Sequence, residues 1–403
     1  MLTDEQIEIL GDKLIPLYQQ LEADTIADIV RRIKKTGRYT ETAELQVKAL
    51  MEKGYSPSKI QSEVMKLLRA DKAYQMAVAE NTKEYKAQVA KAIKETVDEA
   101  KRQGDKIIAE AGTMSFNTDL ALWKQAGKKL DKPNTFWQLV TAMTVQTNKE
   151  LKNLTRTTGF KSIRGFTAIQ DVYQKQLDLA IVKLTSGAYS YDQCVVDCVK
   201  ELSQSGLRSI DYASGRSYQL DTASRLCTRT ASAQLSAKIS IANAENSGED
   251  LVEVSSHFGA RPEHAVWQGK IYSRSGKSKK YPNFSVCRYG AVDGLCGANC
   301  RHTFYTFFDG YSKPTKWAKE PEPTTWKGKS YTYTEATQKQ RYMERNIRQT
   351  KREIEATNSI QESTTDLRSK LKAQRNEYHS FSNSCGIRAK ENRLRYISGS
   401  SNK

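Results

Sequence analysis

Apolar side chains in the first 250 residues recur at steps of three and four, the period of a helix with one buried face. Ile7, Leu10, Leu14, Leu17 and Leu21 form the first such stripe, and Thr3 with Gln6 has the spacing of a capping box that would open it. Pro16 is expected to kink this helix. A second helix is expected from near Thr40 to Gly54. A third starts at Ser56-Pro57, as N-cap and first helical residue, ahead of Ile60, Val64, Leu67 and Leu68. From about Asp71 to Gln103 the pattern predicts a long polar helix with a narrow seam, closed by Gly104. Ser190 and Gln193 again have capping-box spacing, opening a helix to Gly206. Its Cys194 and Cys198 lie among Val195, Val199 and Leu202 and read as small core residues. Asp221 is expected to cap a helix running to about Glu245. Eight prolines in 403 residues leave such helices few interruptions, and 38% apolar against 27% charged residues keeps them thin and well solvated.

The texture changes at residue 250. Leu251-Val252-Glu253-Val254-Ser255 alternates like a short strand, Trp267 to Ser273 reads as a second, and Arg274-Ser275-Gly276-Lys277 as a turn. After Tyr331 the chain is helical again, with Thr334 as the expected cap. Ile347 and Ile354, then Ile360 and Leu367, are seven apart, and Leu371 and Tyr378 continue a coiled-coil-like seam. Thr357-Asn358-Ser359 and Ser363-Thr364-Thr365 would break it into a hairpin. The expected fold is therefore mainly α with a small α+β module. An elongated helical region would occupy 1–250, with a sub-boundary between 105 and 160. A compact Cys/His module would occupy 251–312, a linker 313–333, and a basic helical hairpin 334–403.

Charge is unevenly spread. The formal net charge is +18, and +14 of it lies after residue 250. A basic tail on a near-neutral body fits a polyanionic partner, nucleic acid above all, or simply a solvated surface. Arg341, Arg345, Arg348, Lys351 and Arg352 line the first arm, and the first three, spaced by four and three, should share one face. These five are the candidate nucleic-acid contacts. The start, MLTDEQIEIL, lacks a signal peptide's basic and apolar regions, and no stretch approaches the roughly 18 apolar residues of a spanning helix. A soluble chain without a membrane partner is expected. Seven cysteines without an export signal argue against a disulfide framework.

Three of the four histidines and three of the seven cysteines fall in one segment. It reads Ser256-His257-Phe258-Gly259-Ala260-Arg261-Pro262-Glu263-His264, then Trp267-Gln268-Gly269, then Gly294-Leu295-Cys296-Gly297-Ala298-Asn299-Cys300-Arg301-His302. Phe304-Tyr305-Thr306-Phe307 and Gly310 follow. With these residues the chain resembles the phage minor capsid protein 2 family, a relative of the phage Mu F-like head morphogenesis proteins. The likeness extends to Tyr333, Gln340-Arg341, Glu344-Arg345, Ile347-Arg348, Lys351-Arg352, Tyr378 and Phe381. Tyr18, Leu21-Glu22 and Thr40-Glu41-Thr42-Ala43 match more loosely. The resemblance implies a structural component of the virion head, present in few copies near the portal and made in the host cytoplasm. Portal protein, major capsid protein, scaffold and packaged double-stranded DNA would be its partners. The Mu F-like pattern ends in Cys-Arg-Cys; here Cys300-Arg301-His302 stands in its place, as a ligand swap would.

Cys296, Cys300 and His302 lie within seven residues, and His264, or alternatively His257, could close a tetrahedral zinc site. A structural zinc would substitute for core in so small a module. The same residues could instead form a hydrogen-bonded cluster. A zinc-dependent DNA-binding protein or nuclease is the alternative class, but no carboxylate has a telling spacing to the histidines. No phosphate-binding glycine loop or serine-nucleophile elbow is present, so a non-enzymatic role is expected.

Overall fold

The computed structural model describes residues 1–211, 215–297 and 300–396. Ala298 and Asn299 of the Cys/His segment, and the last residues of the C-terminal region, lie outside the described residues. The chain is mainly α-helical with small sheets. Helices α1 (Asp4–Asp12), α2 (Ile15–Gly37), α3 (Glu41–Glu52), α4 (Pro57–Ala70), α5 (Lys72–Gln125) and α6 (Phe136–Arg156) come first. Strands β1 (Thr158–Ser162) and β2 (Gly165–Ala168) lead to α7 (Val172–Thr185) and α8 (Tyr191–Ser205). Strands β3 (Arg208–Ile210) and β4 (Ser217–Gln219) then precede α9 (Leu220–Asn246).

Local signals set most of these ends. Both capping boxes form, Thr3 with Gln6 and Ser190 with Gln193. Gly54 and Gly206 take positive φ, 72° and 62°, after α3 and α8, as glycine readily does. Pro16 does not kink a helix. It sits in the first turn of α2, where its missing N–H costs nothing. Asp221 lies inside α9, one residue past its start, and its carboxylate faces Arg348 instead of a backbone N–H.

The long polar helix does not stop at Gly104. α5 continues through it to Gln125, and a Cβ at Gly104 would lie 3.2 Å from Leu151 Cδ1 on α6. The residue is there for close helix approach. Tyr74, Asn81, Tyr85, Val89, Thr96, Ala100, Ile107 and Ile108 form the buried seam of α5. Together α1, α2, α5, α6, α7, α8 and α9 enclose one large core. At its edge the Met1 ammonium pairs with buried Asp119, which also accepts from Ser240 Oγ and Asn243 Nδ2.

A three-stranded antiparallel sheet follows, with β5 (Leu251–Val254) central between β6 (Ile271–Ser273) and β7 (Phe304–Thr306). One turn of helix, α10 (Pro262–Ala265), lies between β5 and β6. Val252, Val254, Trp267, Tyr272, Phe284, Cys287 and Phe304 form a second core that reaches Ala237 of α9. Residues 313–333 hold the hairpin β8 (Thr324–Trp326) and β9 (Lys329–Tyr331). Thr332, not Thr334, caps α11 (Tyr333–Asn358), through a capping box with Glu335. α12 (Thr365–Ser384) returns along α11, and α13 (Glu391–Leu394) ends the described chain. α11 also packs on α2 and α8, adding Ala356 and Ile360 to the large core. No helix among the described residues is long and apolar enough to cross a membrane.

Candidate metal centre

Three side chains of the Cys/His segment converge: the ligand atoms of His264, Cys300 and His302 lie within 4.8 Å of one another, all buried. His264 is set by α10, and Cys300 and His302 by the loop entering β7. Nδ1 of His264 is 3.9 Å, and Nδ1 of His302 is 3.7 Å, from Cys300 Sγ.

Their other nitrogens are committed. His264 Nε2–H donates to the Asp293 carbonyl at 2.8 Å. His302 Nε2 lies 2.8 Å from Gln268 Oε1, an atom that also accepts the His257 backbone N–H at 3.1 Å. That second bond fixes Oε1 as an acceptor, so His302 Nε2 carries the proton. Both imidazoles thus turn an Nδ1 lone pair toward one thiol. This is the arrangement that outer hydrogen bonds impose on metal-binding histidines.

The electrostatics agree. Burial, and then the His257 and His264 rings, push His302 down to about 3, so its imidazole is neutral near pH 7. Burial raises the Cys300 thiol, which leaves a neutral S–H beside two lone pairs at distances long for a hydrogen bond. Trp267 forms a dry wall, its ring 4.6 Å from His264 and 4.8 Å from His302. The donor set, two imidazoles and one thiol, suits zinc. The trio contains no carboxylate.

Cys296 and His257 do not join the trio. Cys296, with φ of 61°, directs its thiol at the His302 carbonyl, 3.9 Å away. His257 holds the Phe258 carbonyl through Nδ1 at 2.9 Å, and its ring lies 4.2 Å from that of His302. Arg301, between the two ligands, faces away and pairs with Asp4 of α1 at 2.7 Å. Gln268 and Asp293, which orient the ligands, carried no sequence signal for that role. Only the place of Gln268 in the Trp-Gln-Gly run could have drawn attention to it.

The five basic residues of α11 differ in their access to solvent. Arg341 and Arg345 are exposed and Lys351 is half-buried, with Nζ 2.6 Å from the Leu394 carbonyl. Arg348 and Arg352 point inward. Arg348 donates to the Arg393 carbonyl at 2.8 Å and lies 3.8 Å from Asp221. Arg352 donates to the Ser203 carbonyl at 2.9 Å and pairs with buried Glu22 at 3.5 Å. Three- and four-residue steps keep Arg341, Arg345 and Arg348 near one another, but the packing of α11 on α2 and α8 takes the far end of that stripe out of solvent.

A sequence model of a family described as phage minor capsid protein 2 matches residues 2–73 and 62–383. A structural protein of Lactococcus phage LL-H is 25% identical over 293 residues, covering 70% of this chain and 75% of that relative. No solved structure matches the chain.

Proposed function

Because the chain belongs to the phage minor capsid protein 2 family, we propose that it is a head component that docks near the portal and touches packaged DNA. The match over most of the chain carries this reading, supported by the relative that is itself a phage structural protein. The helical body offers an apolar strip for docking on portal or capsid protein. Trp137 and Val145 on α6 are eight apart, on one face, and 60% and 65% exposed. Scaffold would be met during assembly in the host cytoplasm. Arg341, Arg345 and Lys351 supply the C-terminal contact with DNA, while Arg348 and Arg352 hold α11 in place. His264, Cys300 and His302 would hold a structural zinc, tying the turn at α10 to the loop before β7 beside the second core. The 251–312 segment would thus act as one metal-braced unit between the body and the 334–403 hairpin.

Quantitative mass spectrometry of purified phage particles tests the role. A few to tens of copies per particle, scaled to the portal and major capsid proteins, is expected. Absence from both finished heads and procapsids would overturn it and favour the nuclease alternative.

A further inference from the structure

The second half of α2 carries Arg31, Lys34 and Lys35, and its C-cap is Arg38; at steps of three, one and three, all four lie on one solvent-facing ridge. The turn after α11, Ser359 to Gln361, faces this ridge, with Gln361 in the left-handed conformation at φ of 60°. Between ridge and turn lies a recess of about 380 Å³ lined by these four cations and by Ser359, Ile360 and Gln361. Among the described residues no carboxylate and no aromatic ring lines it.

Lys34 is committed, bonding the Ile360 carbonyl at 2.8 Å and Glu362 at 2.7 Å. Among the described residues Arg31, Lys35 and Arg38 have no carboxylate within ion-pair distance. Like charges one turn apart repel and weaken the helix that carries them. The attraction of Lys34, Lys35 and Arg38 to the C-terminal end of α2 offsets part of this, but Arg31 lies a turn earlier. Three exposed cations without a carboxylate partner thus surround one recess, Arg31 also donating Nε–H to the Ala27 carbonyl at 3.2 Å.

We propose that this recess binds the phosphate backbone of double-stranded DNA, as a second contact besides the C-terminal arm. The inference rests on the reading that the chain meets packaged DNA. From Arg31 to Arg38 the ridge rises about 10 Å, at roughly 1.5 Å per residue. One strand of a duplex presents a phosphate about every 3.4 Å of axis, so the three free cations face about three phosphates. Without aromatic side chains the recess has no platform for unpaired bases, which argues for duplex over single strand. Cations at this spacing can bind phosphate oxygens whatever the bases, which suits a protein that must accept any stretch of a packaged genome.

The test is fluorescence anisotropy of the full chain with a labelled duplex of arbitrary sequence, titrated at several salt concentrations. R31Q/K35Q/R38Q is compared with K91Q/K101Q/K106Q, which removes the same charge from the exposed face of α5. Circular dichroism melts confirm that both variants fold. The recess variant should lower the slope of log affinity against log salt by about 2.7, from about 0.9 per phosphate contact, while the α5 variant should change it by less than about one contact. Equal losses in both variants would reduce the effect to net charge and overturn the inference. Parent-like binding by the recess variant would overturn the recess alone and leave the DNA reading standing. Failure of the parent chain to bind duplex would overturn the DNA reading, and this inference with it. Displacement of the duplex by polyglutamate at equal charge would assign the recess to an acidic protein and also overturn the proposal.

Discussion

Cys300 places its sulfur between two imidazole lone pairs whose protons are held elsewhere, by Asp293 and Gln268. Such an atom gains far more from a cation than from a weak S–H bond. The chain purified from zinc-containing medium is therefore expected to carry about one zinc, as one structural site implies. Cys300→Ala and His264→Ala should each lose it, by metal analysis. A strong chelator should change the fluorescence of Trp267, whose ring lies 4.6 Å from His264. Unchanged metal content in both variants would disprove the site. Gln268→Ala should weaken zinc retention by roughly 10- to 100-fold, as loss of an outer-shell partner does. The sequence alone offered four or five candidate ligands where the structure gathers three. Whether Cys296 faces the centre depends on its own backbone, whose φ of 61° no spacing rule predicts.

Among elements, the helices were the legible part, because their signals are local. Thr3, Ser56 and Ser190 each mark a start through a bond to a residue three positions on. The β1–β4 sheet was missed because its strands hold three to five residues and are defined by pairing across distance, Gly159 with Arg208 for instance. Gly104 shows the opposite failure. Its sequence signal is that of a helix end, but the demand it meets is the approach of Leu151 from another helix. Gly104→Val should accordingly destabilise the chain by about 1–3 kcal/mol through overpacking, measured by urea unfolding. Leu151→Ala should then cost less in the Gly104→Val background than in the parent, because the new methyl groups fill part of its space. If Gly104→Val were stabilising, the close contact of α5 and α6 would not be the reason for the glycine.

Across the whole molecule, early and late segments are fastened by charge. Glu8 of α1 accepts from Lys390 at 2.9 Å and from Arg393 at 2.6 Å, Asn392 reaches Asp12, and Glu22 of α2 meets Arg352 of α11. Burial alone would raise the Glu8 carboxyl, but Arg393 and Lys390 outweigh it and hold it at about 2 against an ordinary 4.5. A carboxyl depressed on folding contributes fully above its unfolded value and loses that contribution as pH falls toward the folded one. The stability gap between the parent and Glu8→Gln should thus be widest above about pH 5 and close progressively below it. A gap independent of pH between about 3 and 6 would contradict the pairing. Glu22 and Arg352 both belong to runs through which the chain resembles its family, and they meet in the interior. That accounts for part of the resemblance as architecture, a role invisible from either run alone.

The α1 clasp also has a consequence in time. Glu8 and Lys390 stand 382 positions apart, so at about 5–20 residues per second a ribosome delivers the second roughly 20 to 75 s after the first. Throughout that interval the outer side of α1 waits uncovered. A waiting surface made of apolar residues would invite aggregation with neighbouring nascent chains, whereas Glu5, Glu8 and Asp12 are carboxylates that water solvates well. Closing the clasp with ion pairs lets the earliest helix stay soluble until the last one arrives.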